Sequence, residues 1–96
     1  MKLEILPSAE GDIVDGFWFY EKQATGLGSY FRESLFGDIE ALRTSGGVHR
    51  KVFGWHRMLA RRFPYAVYYS VHEQTVLIRA VLDCRRDPSW TRTKLR

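Results

Sequence analysis

The chain has 96 residues, a formal net charge of +4 and one cysteine, and 15% of it is aromatic. That length suits a single domain over 1–96 with one core, and a lone thiol, Cys84, excludes an internal disulfide and suits a reducing cytoplasm. There is no apolar run of about 18 residues or more and no signal-peptide apolar region, so neither a membrane span nor export is expected, and the location expected is cytoplasmic.

Charge is unevenly distributed along the chain. Residues 1–47 are net −4, whereas residues 48–96 are net +8. A basic excess on one contiguous half points to a polyanion or an acidic protein partner. The plainer alternative is a set of solvated arginines.

In chain order, Lys2 to Leu6 alternates as a strand and stops at Pro7. Ser8 is a candidate cap for the helix that follows. Ala9, Ile13, Phe17 and Tyr20 lie at helical spacing, with Glu10, Asp12 and Asp15 in the early turns where the helix dipole favours negative charge. The segment Gln23 to Gly28 breaks this helix. A second helix is expected from about Gly28 to Arg43, with Phe31, Leu35, Ile39 and Leu42 as its apolar stripe and Gly46-Gly47 as its exit. The short connection makes the two helices an antiparallel hairpin.

The second half reads as strands. His56 to Phe63 is basic and extended, Pro64-Tyr65 turns the chain, and Tyr65 to Val71 is rich in β-branched and aromatic residues. His72-Glu73-Gln74 is a polar break before Thr75 to Leu82. On that last strand Val76, Ile78, Ala80 and Leu82 are expected on the core face. Arg79 is expected on the open face, together with Arg57, Arg61 and Arg85. The fold class expected is α+β: an N-terminal strand, an antiparallel helix hairpin, and a three-stranded antiparallel meander packed on it.

Several residues are candidates for chemistry. Arg57, Arg61 and Arg62 can line a polyanion groove or dock acidic side chains of a partner, for which bidentate guanidinium–carboxylate pairs are suited. Arg85-Arg86-Asp87-Pro88 is either a phosphate contact or a strand-end ion pair to Asp83 or Asp87. Trp90 can stack on a base or cover the sheet edge. Cys84 stands near Arg86, which can lower its thiol pKa, but has no sequence-local base. His49, His56 and His72 lack metal-ligand spacing, and no glycine-rich phosphate loop occurs, so neither a metal nor a cofactor is expected.

Three stretches resemble one family. Phe19-Tyr20-Glu21 with Gly26-Leu27-Gly28 and Phe31, then Arg61-Arg62-Phe63-Pro64-Tyr65 with Tyr68-Tyr69, then Ala80-Val81-Leu82 with Cys84-Arg85-Arg86-Asp87-Pro88 and Trp90 resemble the RelE/ParE superfamily of bacterial toxins. The likeness covers roughly residues 2–90 and is closest to the ParE-like branch. It implies the toxin of a type II toxin–antitoxin (plasmid stabilization) module, neutralised by an acidic antitoxin in a hetero-oligomer. ParE-like members poison DNA gyrase, whereas RelE-like members cut mRNA in the ribosome without a metal. Where RelE-like nucleases carry an arginine and a lysine, this chain has Ala66 and Leu59. If it were a nuclease, Arg57, Arg61, Arg85, Arg86 and His56 would be the catalytic candidates. Contact with the target or the antitoxin would fall on Arg57, Arg61, Arg62, Arg79, Arg85, Arg86 and Trp90. By alternation His56 points away from Arg57, so the arginines lack a well-placed base. Gyrase poisoning is therefore the expectation, and a degenerate, purely binding role is the remaining alternative.

Overall fold

The computed structural model describes residues 1–96. Lys2–Ile5 forms β1, and α1 (Pro7–Glu21) follows almost at once, with Pro7 as its first residue. Proline suits that position because its fixed φ is helical and its missing N–H is not needed there. The residue before it, Leu6, offers no capping side chain. Ser8, expected as the cap, lies inside the first turn instead, and its hydroxyl donates to the Arg79 carbonyl at 2.7 Å.

α1 ends at Glu21, and this residue also organises the next helix. Its carboxylate accepts the backbone N–H of Gly26 at 3.0 and 3.1 Å and of Gly28 at 2.9 Å. These donors flank the start of α2 (Leu27–Glu40), where backbone N–H groups lack helical partners. Gly26 sits at φ +90°, and a Cβ on Gly28 would come 2.6 Å from the Phe17 carbonyl. One glycine thus makes the turn and the other lets the two helices touch. The helix expected to reach Arg43 stops at Glu40, and a separate turn, α3 (Leu42–Ser45), carries Leu42 into the core.

The remaining strands are β2 (Lys51–Val52), β3 (Trp55–Leu59), β4 (Tyr65–His72) and β5 (Thr75–Asp83), followed by α4 (Pro88–Lys94). They join β1 in a five-stranded sheet of order β1-β5-β4-β3-β2. β1 runs parallel to β5, and the other pairs are antiparallel. The expected meander is therefore present, widened by one strand at each edge. The basic strand stops at Leu59 rather than Phe63, and residues 60–64 form the connection to β4.

Register changes once within the meander. Tyr68 pairs with Ala80 and Tyr69 with Ile78, leaving Arg79 as an extra residue in β5. A bulge of this kind reverses the alternation beyond it. Val76, Ile78 and Val81 consequently pack toward the helices, whereas Ala80 and Leu82 pack on the opposite face. This corrects the expectation that Val76, Ile78, Ala80 and Leu82 share one face.

Two apolar layers result. Between helices and sheet lie Ala9, Ile13, Tyr20, Phe31, Leu35, Ile39 and Leu42 against Tyr65, Val67, Tyr69, Val76 and Ile78. Burying each large member contributes roughly 1.5–3 kcal/mol. The far face carries a smaller cluster of Ala66, Tyr68, Ala80, Leu82 and Leu95, flanked by Trp55 and Trp90. Beyond Ile5, β1 no longer pairs with β5, and α1 covers the exposed edge: Ser8 bonds the Arg79 carbonyl, and the Asp12 carboxylate accepts the Val81 N–H at 3.0 Å. No helix is long and apolar enough to cross a membrane.

Candidate functional site

Of the arginines expected on the face of the sheet turned away from α1 and α2, Arg57 and Arg79 lie there, beside Tyr68 and Trp55, whereas Arg61 falls beside α2 and Arg85 turns to the α1 side, 5.9 Å from the Phe19 ring, and α4 lies over part of the face. Asp87 accepts the Ser89 N–H at 2.9 Å, and Pro88 is the first residue of the helix. Leu95 and Trp90 then pack on the far-face cluster. Arg79 fastens this segment: its guanidinium donates to the carbonyls of Lys94 and Arg96, both at 3.1 Å, and to Ser8 Oγ at 3.0 Å. It also lies 5.9 Å from the centre of the Trp55 ring. Arg79 does face away from the helices, as alternation predicts, but three of its five donors are taken by the chain itself.

Arg57 points into a cleft of about 230 Å³ beside α4, with Phe53, Tyr68, Cys84, Arg86 and Thr91 on its walls and no carboxylate among its lining residues. Arg57 Nε donates to the Tyr68 hydroxyl at 3.1 Å, and Nη2 stands 3.6 Å from Cys84 Sγ. Arg86 stacks over Trp90 at 4.4 Å from the ring centre, and Arg92 over Phe53 at 5.1 Å. Phe53 holds φ 55° at the β2–β3 turn, a left-handed conformation that costs a bulky side chain energy. Desolvation pushes the Cys84 thiol up despite the opposing pull of Arg57. The lowered thiol expected from Arg86 is therefore not found.

Arg85 resolves one of the open choices. It grips Asp83 through Nε and Nη2, both at 2.9 Å, and this hydrogen bonding holds the Asp83 carboxyl below its usual range. Arg85 is thus the strand-end ion pair, and Asp87 serves as a helix cap. Trp90 covers apolar sheet surface as the plainer reading had it, with Arg86 on its ring.

Arg61 and Arg62 lie elsewhere. Because β3 ends at Leu59, they fall in the connection and border a groove along α2 with Glu33, Asp38 and Leu59. The Arg61 N–H donates to the Asp38 carboxylate at 3.0 Å. The expected single groove of Arg57, Arg61 and Arg62 is therefore two surfaces, split by the end of β3. His56 faces the helices, as strand alternation predicted: it stacks on Tyr69 at 5.0 Å and 24°, with Nδ1 at 2.6 Å from the His49 carbonyl. No imidazole lines the Arg57 cleft.

The cleft can therefore hold an anion through guanidinium hydrogen bonds and present aromatic rings beside it. Its charged groups, the guanidinium ions, stay protonated and are poor proton carriers at neutral pH. Sequence reasoning did not single out Phe53, Thr91 or Arg92 as neighbours of this cleft. The Asp87-Pro88 pair, a cap followed by proline at the first helical position, was the signal available for α4.

No family model matches the chain, and no curated protein does. Among solved structures, a chain of one described as "Chromosomal ParDE TA system from P. aeruginosa" superposes with a TM-score of 0.73 at 15% identity, over 84% of this chain and 92% of that one. Identity that low speaks for architecture. The strand, helix hairpin and sheet found here are accordingly those of a RelE/ParE-type fold, the one implied by the motifs of residues 2–90.

Proposed function

We propose that this chain is the toxin of a type II toxin–antitoxin module, of the ParE-like branch, arresting growth by poisoning DNA gyrase and held inactive in the cytoplasm by a cognate antitoxin. The observation that carries this reading is the fold, shared over nearly the whole length with a chain of a ParDE system. The choice of branch rests on the separation of His56 from the Arg57 cleft across the sheet. Phosphodiester cleavage without a metal needs a group that takes the 2′-hydroxyl proton, and an unshifted imidazole is the side chain suited to that near neutral pH. Anion binding by Arg57 and Arg86 is the one feature favouring ribosome-dependent mRNA cleavage as a second reading.

For the antitoxin, the proposed contacts are Arg57 and Arg86 at the cleft and Arg61 and Arg62 along α2, with Trp90 at the rim. Arg79 and Arg85 would join only by giving up their present partners. Removing one member of a desolvated charge pair costs about 2–5 kcal/mol. The test is inducible expression with and without the short reading frame beside the gene. Growth arrest relieved by that partner, with affinity lowered in Arg57→Ala or Arg61→Ala, is the expected result. Normal growth with the chain folded and abundant would refute a toxin.

A further inference from the structure

The connection between α3 and β2 is tied to the core through one buried hydroxyl. Tyr69 has no exposed surface, and its ring lies in the main core. Its hydroxyl oxygen accepts the Gly47 N–H at 3.0 Å and stands 2.5 Å from His49 Nδ1. It has no other hydrogen-bond partner. The buried hydroxyl proton has no acceptor within reach other than His49 Nδ1, so the arrangement that satisfies it has Tyr69 donating to His49. His49 is then the neutral tautomer with its proton on Nε2. The neighbouring imidazole behaves differently. His56 Nδ1 faces the His49 carbonyl and so carries a proton in either charge state.

Protonating His49 breaks this arrangement. Nδ1 becomes a donor, the Tyr69 oxygen faces two donors, and the hydroxyl proton of a fully buried tyrosine loses its acceptor. An unsatisfied buried donor is destabilising. His56 opposes the charge from β3. Arg50 and Lys51 follow His49 in the chain, and Arg61 and Arg62 line the groove that it borders. On the other side of the balance, that groove holds Glu33 of α2 and Asp38, whose carboxylate is already committed to the Arg61 N–H. The net direction is a His49 pKa below the usual imidazole value, through burial first and His56 second.

The segment so tied covers an edge. β2 is the outermost strand, only two residues long, and the Arg57 N–H of β3 donates to the Arg50 carbonyl at 3.0 Å. We propose that Tyr69 and His49 form a proton-operated latch that holds the 46–52 segment over the outer edge of β3 at neutral pH and releases it on acidification. A histidine with its pKa lowered by folding contributes stability that is present above the unfolded value of about 6.5 and lost as pH falls below it. The released state would uncover the main chain of β3, a ready template for another strand.

The test is amide hydrogen exchange by NMR on the full chain, with rates corrected for the intrinsic effect of pH. The protection of Gly47 and its neighbours should fall roughly fivefold or more between about pH 7.5 and 5, the effect of one buried hydrogen bond lost. In His49→Asn, whose side-chain oxygen can accept from Tyr69 without titrating, protection should not vary with pH. Tyr69→Phe should show low protection at both ends. Constant wild-type protection would overturn the latch. So would a pH effect that survives His49→Asn and disappears in His56→Gln.

Discussion

Asp12 shows how a residue can be acidic in the sequence and structural in the fold. Its place in the first turns of α1 reads as a dipole effect, but its carboxylate is half-buried and accepts the Val81 N–H where β5 has lost its strand neighbour. Burial raises its pKa above the ordinary carboxyl value, outweighing the backbone hydrogen bond and the attraction of Lys94. A raised carboxyl pKa means that the folded state binds a proton more readily than the unfolded one. The charged form therefore opposes folding at neutral pH, and the opposition fades as pH falls through the carboxylate range. Asp12→Asn keeps an acceptor and removes the charge. It should be at least as stable as wild type at pH 7, with any advantage shrinking on acidification. Asp12→Ala orphans the Val81 N–H and should lose about 1–3 kcal/mol. Urea melts of the three proteins at two pH values check both statements. None of this was legible from spacing, because the use of Asp12 depends on a contact 69 residues away in sequence.

At the scale of elements, the sequence showed most where a local period persists and least where an element is short or interrupted. The stripe Phe31, Leu35, Ile39 and Leu42 predicted a buried helix face, and all four are buried. β2 spans two residues, too few for any period. The bulge at Arg79 reverses alternation through a pairing choice that β5 alone does not encode. The helix hairpin explains two of the motif residues physically. Glu21 caps α2 from the end of α1, and Gly28 admits the backbone of Phe17. In Gly28→Ala the new methyl would lie 2.6 Å from a main-chain oxygen and 2.9 Å from the Glu21 side chain. Overpacking of that kind costs typically about 1–3 kcal/mol, offset only in part by better helix propensity. Gly37→Ala is the matched control. Nothing lies within 4 Å of its added Cβ, and it should stabilise by up to about 1 kcal/mol. Denaturant midpoints of the two variants should move in opposite directions. If both rise, the hairpin is not packed as tightly as described.

For the molecule as a whole, the division of charge along the chain becomes a division in space, with acidic helices on one side of the sheet and most of the basic groups on strands, connections and α4. Part of each set is consumed internally. Asp12, Glu21 and Asp38 hold backbone N–H groups, Arg79 fastens α4, and Arg85 grips Asp83. The cationic groups left facing outward at the sheet include Arg57 and Arg86 in the cleft, Arg61 and Arg62 beside α2, and Arg50 and Lys51 at the β2 edge. Their charge was legible in the sequence. Their partition into two surfaces was not, because it turns on β3 ending at Leu59. The proposed function has this surface recognising a target without the proton-transfer group of a nuclease. It is tested most directly by incubating the purified chain with DNA gyrase and supercoiled DNA, and in parallel mapping transcript ends after induction in cells. Stabilised gyrase–DNA breaks and no codon-phased transcript cuts are the expected result. Codon-phased cuts that disappear in Arg57→Ala, with gyrase unaffected, would contradict it.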